Sequence, residues 1–225
     1  MKNILVVGAD RGIANRICLQ LQARGERVFA ACLGNTSPFD NGIEAITGID
    51  VTSSDAPKKL VDALNQKKVR LDWVLHVAGV LGLDTLGEIG YDDMRRQFEI
   101  NTIGPLRIAE ACLPLMDAGA KLGIVTSRVG SLGDNSSGGM YAYRVSKAAA
   151  NMVALNLHHD LSKRGIAVVA LHPGMVATDL TKDYPGTYNY IQPEDAARGL
   201  IARMDELTLE SSGQFRHANG DALIW

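Results

Sequence analysis

Short apolar runs rich in β-branched residues, at 3–7, 27–33, 44–49, 71–77, 121–126, 166–171 and more weakly 214–217, alternate with stretches of a different rhythm. Those stretches, 13–23, 56–66, 92–116 with a break near Gly104-Pro105, 143–162 and 193–204, repeat their apolar residues every three to four positions. Continuous apolar runs of strand length suit strands buried on both faces, and the helical rhythm suits amphipathic helices. A chain that keeps alternating the two has few architectures open to it: parallel strands, right-handed crossovers, and helices on both faces of the sheet. The expectation is an α/β fold with a doubly wound, mostly parallel sheet of about seven strands. Ligands in such sheets sit at the carboxyl ends of the strands. Two loops there are long and polar: 128–140, rich in Gly and Ser, and 179–192, which contains Asp183-Tyr184-Pro185-Gly186.

At 225 residues, with 46% hydrophobic and 21% charged residues, the chain suits a single domain over 1–225 with a large core. A net charge of -2 with scattered Lys and Arg gives no footprint for nucleic acid or an anionic membrane. No run approaches the roughly 18 apolar residues of a membrane span. Cys18, Cys32 and Cys112 are odd in number, far apart and without CxxC spacing, which predicts buried free thiols, no metal and a reducing, cytoplasmic location.

The first apolar run ends in Gly8-Ala9-Asp10-Arg11-Gly12-Ile13-Ala14, where a helix begins. Glycine at 8 permits a tight turn, and glycine at 12 lets backbone approach a pyrophosphate at the helix N-terminus, where unpaired N–H groups favour anions. An ordinary glycine turn between strand and helix is the alternative reading of these residues alone.

The GxxxGxA spacing resembles the GxxxGxG turn of the short-chain dehydrogenase/reductase family, with Ala14 in place of the last glycine, and implies a Rossmann-type sheet. Downstream, Tyr143-Arg144-Val145-Ser146-Lys147 is similar to the family's YxxxK signature. Residues four apart share a helix face. A lysine ammonium beside a phenol favours the phenolate, pulling a reference pKa of about 10 toward the working pH. By this resemblance Tyr143 is the acid in reduction and the base in oxidation, and Lys147 also reaches the nicotinamide ribose. Ser127, closing Gly123-Ile124-Val125-Thr126-Ser127, resembles the serine that donates to the substrate oxygen, with Ser131 as its rival. Asn101, in Glu99-Ile100-Asn101-Thr102, matches the asparagine that holds a water on the proton path, or else caps a helix break.

Further segments resemble the family's cofactor contacts. Gly8, Asp10, Arg11, Gly12 and Ile13 form the phosphate turn. Asp50-Val51 stands where the adenine is bracketed, and Ala78-Gly79 where the family has its NAG. His76, where Asn is usual, is read as a satisfied core histidine outside the mechanism. Pro173, Gly174, Val176 and Thr178 resemble the PGxVxT segment at the nicotinamide carboxamide. The segment Gly139-Met140-Tyr141-Ala142-Tyr143-Arg144 is similar to that of compact carbonyl reductases of the sniffer and C-factor group.

This resemblance implies an NAD(P)(H)-dependent oxidoreductase moving hydride between the nicotinamide and a small carbonyl or alcohol, as a homodimer or homotetramer. The alternative is a dinucleotide-binding sensor of the same fold. The second apolar run ends Ala31-Cys32-Leu33-Gly34-Asn35, without the acid that accepts from a ribose 2'-hydroxyl, and Arg11 is placed to meet a 2'-phosphate. NADP(H) is therefore favoured over NAD(H).

Overall fold

The computed structural model describes residues 1–40, 42–184 and 186–225. Pro185 of the 183–186 turn lies outside them. The strands are β1 (Asn3–Val7), β2 (Arg27–Ala31), β3 (Ile43–Ile46), β4 (Trp73–His76), β5 (Lys121–Val125), β6 (Ala167–His172) and β7 (Gln214–His217). They form a 7-stranded sheet in the order β3-β2-β1-β4-β5-β6-β7, with every neighbouring pair parallel. The order reverses between β1 and β4, which opens a crevice at the carboxyl ends of those strands.

The helices are α1 (Gly12–Ala23), α2 (Ala56–Gln66), α3 (Tyr91–Phe98), α4 (Gly104–Cys112), α5 (Tyr141–Leu161) and α6 (Pro193–Glu206). On one face of the sheet Leu60 and Leu64 of α2, Ile108 and Cys112 of α4, and Leu157 and Leu161 of α5 meet Leu5, Val74 and Ile124. On the other face Ile17 and Leu21 of α1 and Leu200 and Met204 of α6 cover Ile4, Val6 and Val169. Cys18, Cys32 and Cys112 are buried free thiols, as expected. Among the described residues, no helix is long and apolar enough to cross a membrane, and no cluster of metal-binding side chains occurs.

The expected elements are present with shifted ends. β2 stops at Ala31 rather than at 33, and β3 spans Ile43–Ile46 rather than reaching 49. The long stretch at 92–116 breaks as anticipated near Gly104-Pro105, and the break is a π-helical turn at Glu99–Ile103. The first helical residue of α5 is Tyr141, two earlier than expected, because its first turn is capped from a distant loop. Asp84 accepts from the Tyr141 and Ala142 amides at 2.5 and 2.9 Å, and its own carbonyl accepts from Met140 N. A carboxylate at a helix N-terminus satisfies orphan donors and opposes the positive end of the dipole. Met140, the residue before the helix, is left-handed at φ 47° to make that join.

Gly130 sets how closely the 128–140 loop lies on α5. A Cβ there would stand 2.6 Å from the Lys147 carbonyl carbon and 2.8 Å from the Ala148 nitrogen, both backbone atoms that cannot swing aside. Gly130→Ala is therefore expected to cost about 1–3 kcal/mol through overpacking, lowering the thermal midpoint by several degrees. Thermal unfolding followed by circular dichroism checks this, and an unchanged midpoint would show that the contact yields freely.

Candidate active site

The residues that sequence reasoning singled out for proton transfer converge above β4 and β5. Tyr143 and Lys147 lie on one buried face of α5, exposed by 7% and 4%. The helix is held over the sheet edge by Thr126, whose hydroxyl donates to Lys147 O and to Asn151 Oδ1. Lys147 Nζ donates to Val125 O at 3.1 Å and stands 5.8 Å from the centre of the Tyr143 ring. Ser127, just past β5, hydrogen-bonds the Tyr143 phenol. Its rival Ser131 is used elsewhere, accepting from Asp134 N at 3.1 Å to brace the loop.

Burial dominates the electrostatics here. It pushes the Tyr143 phenol up to about 12, only partly offset by the Ser127 hydrogen bond and helped by neighbouring Tyr184. It pushes Lys147 down to about 8. The expectation is that Lys147 pulls the phenol down; in the free protein burial sets the direction of the shift instead.

Asn101 sits in the π-helical turn. Its Oδ1 accepts from Val80 N at 2.9 Å, and its Nδ2 donates to Val80 O at 2.9 Å and Ser146 Oγ at 3.0 Å. The side chain therefore clamps the loop after β4 against α5. Gly79 makes the clamp possible, since a Cβ there would lie 3.1 Å from Asn101 Oδ1 and 3.3 Å from Lys147 Nζ. His76 departs from its expected reading. It is buried at 1% exposure, yet neither ring nitrogen has a hydrogen-bonding partner among the described residues, and burial beside Lys147 drives it down to about 3. Register places it between Val7 and Ile124, where two apolar neighbours offer it no acceptor.

The phosphate turn has the features of an anion seat. The N-terminus of α1 has no side-chain cap and no acid in its first turn, so the Gly12 and Ile13 end keeps its amides for a ligand. Gly12 is at φ 60°, and a Cβ on it would meet only Thr178 Cγ2, at 3.7 Å. Gly8, at φ 87°, has a second role, because a Cβ would strike the Ala78 backbone at 2.7 Å. The ends of β1 and β4 touch there. Asp10 turns toward the end of β2, accepting from Leu33 N at 2.9 Å and Gly34 N at 2.8 Å. Arg11 is exposed and pairs with Asp179 across the crevice mouth at 3.0 Å.

At the other cofactor positions, Asp50 Oδ1 accepts from the Thr52 amide and hydroxyl, and the Val51 carbonyl accepts from Arg107. Beyond β6, Gly174 is at φ 91° and Val176 is buried and bridged to Ile191, which ties the Pro173 to Thr178 segment to the 179–192 loop. Sequence reasoning missed Asp84 and Gly130. Each acts only across distant segments, although an Asp in a polar loop gave a faint capping signal for the first.

Residues 2–189 match the family described as short chain dehydrogenase. A 1-hydroxy-2-glutathionyl-2-methyl-3-butene dehydrogenase of Rhodococcus sp. (strain AD45) is 60% identical over 226 residues, covering 100% of both chains. The C-signal protein of Myxococcus xanthus is 42% identical over 158 residues, 69% of this chain and 93% of its own. Among solved structures, NADPH-bound carbonyl reductase from chicken fatty liver has a TM-score of 0.88 at 26% identity, covering 100% of this chain and 99% of its own. The carbonyl reductase Sniffer of D. melanogaster has the same score and identity and covers 100% of both chains. With this sheet order, glycine turn and buried Tyr–Lys pair, the chain belongs to the short chain dehydrogenase family, oxidoreductases that move hydride between a nicotinamide dinucleotide and a small carbonyl or alcohol.

Proposed function

We propose that the chain interconverts an alcohol bearing a glutathionyl group and its carbonyl, with Tyr143 as the proton-transferring group. The observation that carries the chemistry is the single buried cluster of Tyr143, Ser127 and Lys147. A protein that only senses a dinucleotide would have no use for it. The substrate class rests on the 60% identity to the Rhodococcus dehydrogenase over both full chains.

A bound nicotinamide dinucleotide supplies or accepts the hydride. The turn Gly8, Asp10, Arg11, Gly12 and Ile13, with Asp50 and Val51, Ala78 and Gly79, and Pro173, Gly174, Val176 and Thr178, would hold it. The uncapped α1 amides and the open Gly12 turn fit its phosphates. Among the described residues Lys147 has one acceptor, Val125 O, which leaves N–H groups for ribose hydroxyls. Ser127 donates to the substrate oxygen and holds it against the phenol, stabilising charge as it develops. In oxidation Tyr143 takes the hydroxyl proton, and in reduction it returns one. Asn101 acts at one remove, fixing the loop that lies against Lys147.

We propose NADP(H) over NAD(H), supported by exposed Arg11 at the start of α1 and by the NADPH-bound relative. The Asp10 carboxylate at the end of β2 repels a 2'-phosphate, and Arg11 attracts one only by leaving Asp179. Arg11→Ala is expected to weaken NADPH binding several-fold more than NADH binding, and Asp10→Asn to shift the preference toward NADPH. Cofactor fluorescence titration reads both, and equal losses for the two dinucleotides in Arg11→Ala would remove the 2'-phosphate role.

Tyr143→Phe is expected to lower kcat by at least a thousandfold while dinucleotide binding persists, and retained turnover would sink the assignment. Because burial keeps the phenol protonated, alcohol oxidation is expected to rise steadily with pH from neutrality into the alkaline range, while carbonyl reduction, which uses the protonated phenol, stays level until the pH nears about 12. An oxidation rate flat across that range would exclude Tyr143 as the group that titrates.

A further inference from the structure

We infer that Asp179 sets the size of the dinucleotide preference by competing with the cofactor's 2'-phosphate for Arg11. The inference rests on the NADP(H) reading above and adds to it a specificity-determining residue from the far side of the crevice. Arg11 Nη1 donates to Asp179 Oδ2 at 3.0 Å, joining the phosphate turn to a residue 168 positions along the chain. Among the described residues Arg11 is the only cation in an ion pair with Asp179.

The position of Asp179 is fixed by the backbone around it. Thr181 N donates to Thr178 O at 3.1 Å, and the Thr181 hydroxyl donates to Val176 O and lies 3.2 Å from Thr178 O, so residues 178–181 close into a turn. That turn follows buried Val176, which is bridged to Ile191. It also rests on the phosphate turn, since the one atom within 4 Å of a Cβ on Gly12 is Thr178 Cγ2, at 3.7 Å. Arg11 therefore meets Asp179 across a join that the two backbones already make.

On the other side of Arg11 lies the end of β2, where Asp10 accepts from the Leu33 and Gly34 amides and where this fold meets the ribose 2'-position. Arg11 thus stands between two anion seats, one past β6 and one past β2. Its side chain is 78% exposed and that of Asp179 67%, so water and salt screen the pair and it is weak by itself. A phosphate offers a guanidinium more charge and a fork of oxygens, which makes it the stronger partner. NADP(H) therefore takes Arg11 from Asp179 and gives up the pair, whereas NAD(H), with a hydroxyl at that position, leaves the pair intact. Because the bond given up is an exposed one, Asp179 trims the preference for NADP(H) by a few-fold and does not reverse it.

The test measures dissociation constants for NADPH and NADH by cofactor fluorescence in the wild-type protein, Asp179→Asn, Arg11→Ala and the double variant. Asp179→Asn is expected to raise the NADPH-over-NADH preference roughly two- to fivefold, chiefly by tightening NADPH, and to lose most of that gain in the Arg11→Ala background. Asp179→Glu, which keeps the charge, is expected to keep the wild-type preference. An unchanged preference in Asp179→Asn overturns the inference. So does an equal gain with and without Arg11, which would make Asp179 a general repulsive charge and no competitor. The two readings fail differently: equal losses of NADPH and NADH in Arg11→Ala remove the 2'-phosphate role and the inference with it. A preference that falls in Arg11→Ala but does not move in Asp179→Asn leaves that role standing and removes the competition alone.

Discussion

A lysine ammonium buried with no carboxylate partner among the described residues is the constraint around which this molecule is arranged. Removing such an ion from water is expensive unless hydrogen bonds replace the lost solvent. Lys147 has Val125 O at the end of β5, and that bond requires α5 to lie within reach of the sheet edge along its first two turns. The requirement spreads outward. Thr126 ties the helix backbone to β5, Asp84 fixes where the helix begins, and Gly130 lets the loop pass against its backbone. Gly79 leaves room for Nζ from the other side.

The same constraint gives neighbouring residues of α5 different surroundings. The face carrying Tyr143 and Lys147 is buried, which raises the phenol and lowers the lysine. The neighbouring position, Arg144, turns into the 128–140 loop and donates to Gly138 O, Val129 O and Ser137 Oγ. One residue along a helix is a rotation of about 100°. That rotation is enough to place the proton chemistry and the bracing of the loop in two different environments.

Much of this was legible in the sequence. Strand–helix alternation specified the parallel sheet because both periods are written in single residues, and the Tyr143–Lys147 spacing survived because it lies within one helix. The elements misjudged are those whose ends are decided elsewhere. β2 loses its last residues because Asp10 takes the Leu33 and Gly34 amides, and α5 begins early because Asp84 caps it. His76 looked like a satisfied core histidine, and only the register showed it between Val7 and Ile124 with no acceptor at hand. The direction of the Tyr143 shift was likewise misread, since a sequence displays the neighbouring lysine but not the depth at which both are buried.

The π-helical turn at Glu99–Ile103 shows where local regularity and chemistry part company. Such a turn holds one residue more than the α-helix around it needs. A chain one residue shorter there would run more smoothly from α3 into α4, with better backbone geometry at every step. It would also swing the Asn101 side chain away from Val80 and release the loop beneath Lys147. The irregularity is thus a stored misfit whose worth appears only at the other end of a hydrogen bond, and a sequence redesigned for helical regularity alone would erase it first.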